Sequence, residues 1–104
     1  MKIVITSTGN SFDSKFDMRF GRGAWFCLYN NETELAEFHE NHHANSNNGA
    51  GTKAAEKMIE LGVTKVISGD FGPKAKELLD KFNIQMVILQ DDGLSIKQII
   101  EKIN

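Results

Sequence analysis

One cysteine, Cys27, among 104 residues excludes an internal disulfide and suits a reducing compartment. An excess of charge of either sign is also missing. The net charge is −2 with acids and bases mixed along the chain, which leaves no electrostatic footprint for nucleic acid or an anionic membrane surface. No apolar run approaches membrane-spanning length. The opening Met1-Lys2-Ile3-Val4-Ile5 passes at once to Thr6, Ser7 and Asn10, so no signal-peptide core is expected and a cytoplasmic location is. Neither the phosphate-loop pattern Gly-x-x-x-x-Gly-Lys-Ser/Thr nor the dinucleotide fingerprint Gly-x-Gly-x-x-Gly occurs, which argues against a nucleotide cofactor. No Ser/His/Asp spacing and no paired carboxylates suggest an enzyme. The length fits one domain, residues 1–104, with a single core.

Arginine is scarce, and its placement is informative. The only two arginines lie three residues apart in Arg19-Phe20-Gly21-Arg22-Gly23, while ten lysines are scattered over the rest. Guanidinium groups are planar, permanently charged donor forks, so two of them on a glycine-punctuated loop suit an oxyanion or a sulfide-rich anionic ligand. The competing reading is a pair of surface salt bridges. Two further glycine-rich turns, Gly49-Ala50-Gly51-Thr52 and Gly69-Asp70-Phe71-Gly72-Pro73-Lys74, each open a helix pattern.

The periodicity predicts an α/β fold. Ile3-Val4-Ile5 reads as a central strand buried on both faces. Residues 7–23 form a long loop in which Phe12, Phe16 and Phe20 are placed to pin the chain to the core. Ala24 to Tyr29 and Leu35 to Phe38 make a hairpin around Asn30-Asn31-Glu32-Thr33. Residues 40–49 hold one apolar side chain and read as a mobile loop. From Thr52, the positions Ala55, Met58, Ile59 and Leu61 fit a helix face that stops at Gly62. A strand at Val63 to Ile67 follows, then a helix begun by Pro73 with its stripe at Ala75, Leu78, Leu79 and Phe82. Ile84 to Leu89 is the last strand. Ser95 and Gln98 form a capping box for the last helix, with Leu94 and Ile99 as a hydrophobic staple. Right-handed crossovers arrange these elements as a mixed five-stranded sheet of order 3-2-1-4-5, strand 2 antiparallel, flanked by helices.

In such a sheet the order reverses between strands 1 and 4, and ligands bind in the crevice beyond their carboxyl ends. Three loops empty into it: one after strand 1 with Ser7 and Gly9, one at Gly69 to Pro73, and one at Asn48 to Thr52. Helix N-termini at Gly49-Ala50-Gly51-Thr52 and at Gly72-Pro73 offer free N–H groups to an anion, and glycine lets a ligand approach the backbone. Ordinary turns and caps are the competing reading. His39, His42 and His43 would share a face if residues 39–43 were helical, which makes His42 and His43 candidate metal ligands. Cys27 reads as a small buried hydrophobe, Asp13 as a turn residue, and Met18 and Met58 as core filling.

The ordered set Ser7-x-Gly9, Asp13-Ser14, Arg19-Phe20-Gly21-Arg22, Gly49-Ala50-Gly51, Gly62-Val63 and Gly72-Pro73-Lys74-Ala75 resembles the dinitrogenase iron–molybdenum cofactor biosynthesis family, which includes NifX, NafY and the C-terminal domain of NifB. The resemblance covers essentially the whole chain. It implies a three-layer α/β/α fold with the ribonuclease-H-like motif but without nuclease activity. It also implies a non-enzymatic role in binding or carrying an iron–molybdenum cofactor, its precursor or another anionic metal–sulfur cluster. Cofactor-assembly or acceptor proteins are the implied partners, and Ser7, Gly9, Arg19, Phe20, Gly21, Arg22, Gly49, Ala50, Gly51, Thr52, Gly69, Gly72 and Pro73 the expected binding residues. Nitrogenase-associated members often carry histidine directly before Phe-Gly, where this chain has Arg19. The alternative function is a regulatory or scaffold module that binds a small oxyanion, a phosphorylated metabolite or a partner protein in the same crevice.

Overall fold

A computed structural model describes all 104 residues. The elements run β1 (Lys2–Ser7), β2 (Trp25–Asn30), β3 (Leu35–Glu40), α1 (Ala50–Leu61), β4 (Lys65–Ser68), α2 (Pro73–Lys81), β5 (Gln85–Ile88) and α3 (Ile96–Ile103). The five strands form one sheet in the order β3-β2-β1-β4-β5. β2 is antiparallel to both neighbours, while β4 runs parallel to β1 and to β5. Order and directions are those the sequence predicts.

The pleat of β1 explains why the sheet carries helices on both faces. Val4 joins Phe26 and Val66 in a core closed by Ala54, Ala55 and Met58 of α1 and Ala75 and Leu79 of α2. Ile3 and Ile5 point the other way and pack with Cys27, Ile67, Phe16, and Ile96 and Ile99 of α3. A strand with three successive apolar residues, Ile3, Val4 and Ile5, exposes apolar surface on both faces and is stable only between two such layers.

The helices begin and end where their chemistry dictates. α1 starts at Ala50, two residues before the expected Thr52, so Gly51 lies inside its first turn, and it stops at Gly62 in the left-handed conformation at φ 72°. Pro73 occupies the first turn of α2. α3 carries the full capping box: Ser95 Oγ accepts from the Gln98 amide and the Gln98 side chain accepts from the Ser95 amide. Val63 and Thr64 lie before β4 rather than in it.

The 7–23 segment follows expectation in part. Phe16 and Phe20 are buried at 2% and 1% exposure, whereas Phe12 is 45% exposed and stacks edge-on against Phe38. Two of the three rings therefore pin the loop. The third half-covers the sheet near β3.

Glycine in this segment answers to close backbone packing. A Cβ on Gly69 would sit 2.4 Å from Met18 Cβ, and one on Gly21 would sit 2.7 Å from Gly51 Cα, whereas at Gly72 it would meet nothing. Gly69→Ala is expected to cost about 1–3 kcal/mol through overpacking, and Gly72→Ala to stay within about 0.5 kcal/mol. Urea unfolding of the two variants side by side checks this, and equal costs would contradict the packing.

Candidate functional site

The crevice between β1 and β4 is occupied by the chain itself. Leaving the 7–15 turn, residues 16–19 run across the carboxyl ends of the strands. The Asp17 amide donates to Thr6 O, Thr6 Oγ1 donates to Asp17 O, and Arg19 bridges in parallel to Asp70 just beyond β4. Met18 lies against Gly69. An open crevice was the expectation. What fills it is a segment whose backbone groups need partners and find them on the two strand ends.

Asp17 anchors that segment, and it was not among the expected site residues. Its carboxylate, 4% exposed, accepts the Arg19 amide at 3.0 Å, Arg19 Nε at 3.1 Å and Arg19 Nη2 at 3.0 Å. Burial pushes the carboxyl up. The hydrogen bonds and charge of Arg19 and the Ala24 amide outweigh burial and hold it below the ordinary carboxylate range, while Asp17 raises the Arg19 guanidinium in return. Arg19 is thus largely neutralised, although its side chain remains 64% exposed. The Asp-x-Arg spacing in an irregular segment was the available signal.

Arg22 behaves differently. Its Nη1 donates to Ala44 O at 3.0 Å and Ser46 O at 2.6 Å, and no carboxylate lies within ion-pair distance. Its charge is therefore uncompensated. The same contacts tie down the 41–46 turn, which the buried Asn41 also fastens by donating from Nδ2 to Gly21 O and Gly23 O at 2.9 Å. The loop expected to be mobile is held by these polar contacts, which lack of apolar side chains did not reveal.

The two glycine turns meet the arginine loop. Gly21 packs on Ala50 and Gly51, and Phe20 stacks on Phe71 with ring centroids 5.0 Å apart. Between the starts of α1 and α2 lies a concavity of about 360 Å³ lined by Gly49, Gly51, Thr52, Gly72, Pro73, Lys74 and Ala75. Neither helix has a side-chain cap. The amides of Gly51, Thr52, Lys74 and Ala75 have no acceptor in the protein, and Lys74 has no carboxylate partner. Such amides are the donors an anion seeks.

Other expected residues lie apart from this concavity. Ser7 is buried and turns its hydroxyl onto Gly9 O at 2.7 Å, and a Cβ on Gly9 would strike Ser14 Oγ at 2.6 Å, so both serve the turn after β1. His39 stands in β3 and contacts Glu37 at 3.2 Å, so the three histidines share no helical face. His42 and His43 line a different cavity of about 340 Å³ with Lys53, Glu56, Lys57 and Glu60 of α1. No three His, Cys, Asp or Glu side chains are grouped to hold a metal ion. Cys27 is buried within the sheet's apolar core, and burial pushes its thiol up to about 12, which disfavours the free thiolate.

The Asp17–Arg19 pair predicts a pH dependence. A carboxyl held low in the folded chain contributes stability above its unfolded value, and that contribution is lost as pH falls through the folded value. Asp17→Asn is expected to lower stability by about 1–3 kcal/mol at neutral pH, with the gap to wild type narrowing below pH about 4. Urea unfolding at pH 7 and pH 3 reads both, and a gap independent of pH would contradict the pairing.

Comparison with known proteins places this geometry. No curated protein matches the chain. Among solved structures, the apo form of the orange protein from Desulfovibrio gigas superposes with a TM-score of 0.90 at 30% identity, over 98% of this chain and 85% of that one. A Thermotoga protein described under the NifB name superposes at 0.83 and 24% identity over the same shares, a likeness of fold alone. No helix is long and apolar enough to cross a membrane. The sequence profile described as dinitrogenase iron-molybdenum cofactor matches residues 1–104, and the chain belongs to that family.

Proposed function

We infer that this protein is a non-enzymatic binder and carrier of an anionic metal–sulfur cluster, an iron–molybdenum cofactor or a precursor of it, held at the starts of α1 and α2. The observation that carries this reading is the pair of uncapped helix N-termini facing one concavity, with Gly21 of the arginine loop packed on Gly51. Family membership supports the cargo class. The orange protein, described in its apo form, is the relative at 30% identity.

The chemistry suits a pre-assembled cluster. With Cys27 buried in the core and no three His, Cys, Asp or Glu side chains grouped together, the protein supplies few direct ligands to iron or molybdenum. A cluster that brings its own sulfides and net negative charge needs donors instead. The four unpaired amides, Arg22 and Lys74 provide these, and each such contact is charge-assisted. Arg19 serves by holding its segment in place, which leaves Arg22 as the guanidinium without a carboxylate partner. Acceptor or assembly proteins would take the cargo from this open rim.

Anaerobic incubation with ferrous iron, molybdate and sulfide, followed by desalting, is expected to leave bound metal and visible absorption. Arg22→Ala combined with Lys74→Ala should weaken retention roughly tenfold or more while Cys27→Ser retains it. Colourless, metal-free wild-type protein would overturn the reading in favour of a small oxyanion or a protein partner. Loss in the cysteine variant would show that a thiolate holds the cluster.

A further inference from the structure

Asn48-Gly49 is the one Asn-Gly pair in the chain, and it immediately precedes α1. Asn48 and Gly49 are both exposed, and the Asn48 side chain makes no hydrogen bond. The Gly49 amide donates to no acceptor. Gly49 sits at φ 74°, and a Cβ there would meet nothing within 4 Å, so no side chain shields its nitrogen from the neighbouring carboxamide. The other asparagines differ. Asn30 Oδ1 accepts from Glu32 and Thr33, and Asn41 is buried and bonded through both its nitrogen and its oxygen. Asn10, Asn31, Asn45, Asn47 and Asn83 precede residues with side chains.

We propose that Asn48 is a site of spontaneous deamidation that converts the open start of α1 into a negatively charged one. The deprotonated Gly49 nitrogen attacks Asn48 Cγ, forming a five-membered succinimide and releasing ammonia. Water then opens either carbonyl, giving aspartate or isoaspartate at residue 48. One amide is exchanged for one carboxylate, water is consumed, and no oxidant or enzyme is required. The new charge lies one residue before the N-terminal cap of α1, in the segment that leads directly into the unpaired Gly51 and Thr52 amides. It stabilises the helix start and competes with any anion for the same amides. Resting on the cargo reading above, this makes residue 48 a slow, irreversible switch that lowers the protein's hold on an anionic cluster.

Peptide mapping by mass spectrometry after incubation at pH 8 and 37 °C decides the modification. Residue 48 is expected to gain about one dalton, amide nitrogen and hydrogen replaced by oxygen, and to do so faster than any other asparagine, since it alone precedes a glycine. An intact Asn48, or a rate no greater than at Asn45 or Asn47, overturns the proposal whether or not a cluster binds. The consequence is read on Asn48→Asp, reconstituted with iron, molybdate and sulfide. Retention about twofold to fivefold weaker than wild type is expected from charge at a helix start, and retention equal to wild type shows that the modification does not act on this site. Wild-type protein that takes up no metal refutes the cargo reading and leaves the mass result to stand or fall alone.

Discussion

A buried carboxylate cannot remain in a small protein unless its oxygens are occupied, and Asp17 is the one acid in this chain under that constraint. Arg19 answers it with three donors from a residue only two positions away. The resulting bracket stiffens residues 17–19 and lets them cross the ends of β1 and β4. Everything outward of the sheet follows from that crossing. Gly69 must be bare to admit Met18, Gly21 must be bare to meet Gly51, and Phe20 drops between Phe26 and Phe71. The usual ligand crevice is thereby filled. On the proposed reading the binding surface lies at the rim, and Arg22 is left with carbonyl partners and its charge intact.

The three helices divide their work by how they begin. α3 lies away from the concavity and has every advantage at its start: a reciprocal Ser95–Gln98 box and a leucine packed in the same core as Ile99. α1 and α2 begin with glycine and with glycine before proline, and both leave amides without partners. Capping is worth about 1 kcal/mol per helix, so two uncapped starts side by side forgo stability that a serine or aspartate would have supplied. On the proposed reading, that forgone stability keeps the surface open for a ligand.

Much of this was legible in the residues. Unbroken Ile3-Val4-Ile5, the stripe of α2 and the Ser95 box each carry a local pattern whose physics admits one answer, and the strand order then follows from handedness and connection length. Arginine scarcity drew attention to the loop that meets both glycine turns. What the sequence concealed lies in pairings between irregular segments. Hydrophobic periodicity does not separate Asp17 from Asp13, yet one is buried against Arg19 and the other exposed, and only the Asp-x-Arg spacing hints at it. Glycines at 21 and 69 read equally as space for a ligand or for the chain's own backbone, and only the fold brings Gly51 and Met18 against them. Polar tethering of the 41–46 turn by Arg22 and Asn41 is likewise invisible to hydrophobic periodicity. The histidines were grouped by sequence spacing, but β3 extends through His39 and Glu40 and separates them.

The central claim is that the free amides at the starts of α1 and α2 are the ligand's donors. Backbone amide resonances of the protein, followed as it is loaded anaerobically with iron, molybdate and sulfide, test this most directly. The account predicts the largest changes at Gly51, Thr52, Lys74 and Ala75, with the capped α3 start at Ser95 to Gln98 unaffected. Changes centred instead on His42 and His43, or on α3, would contradict it.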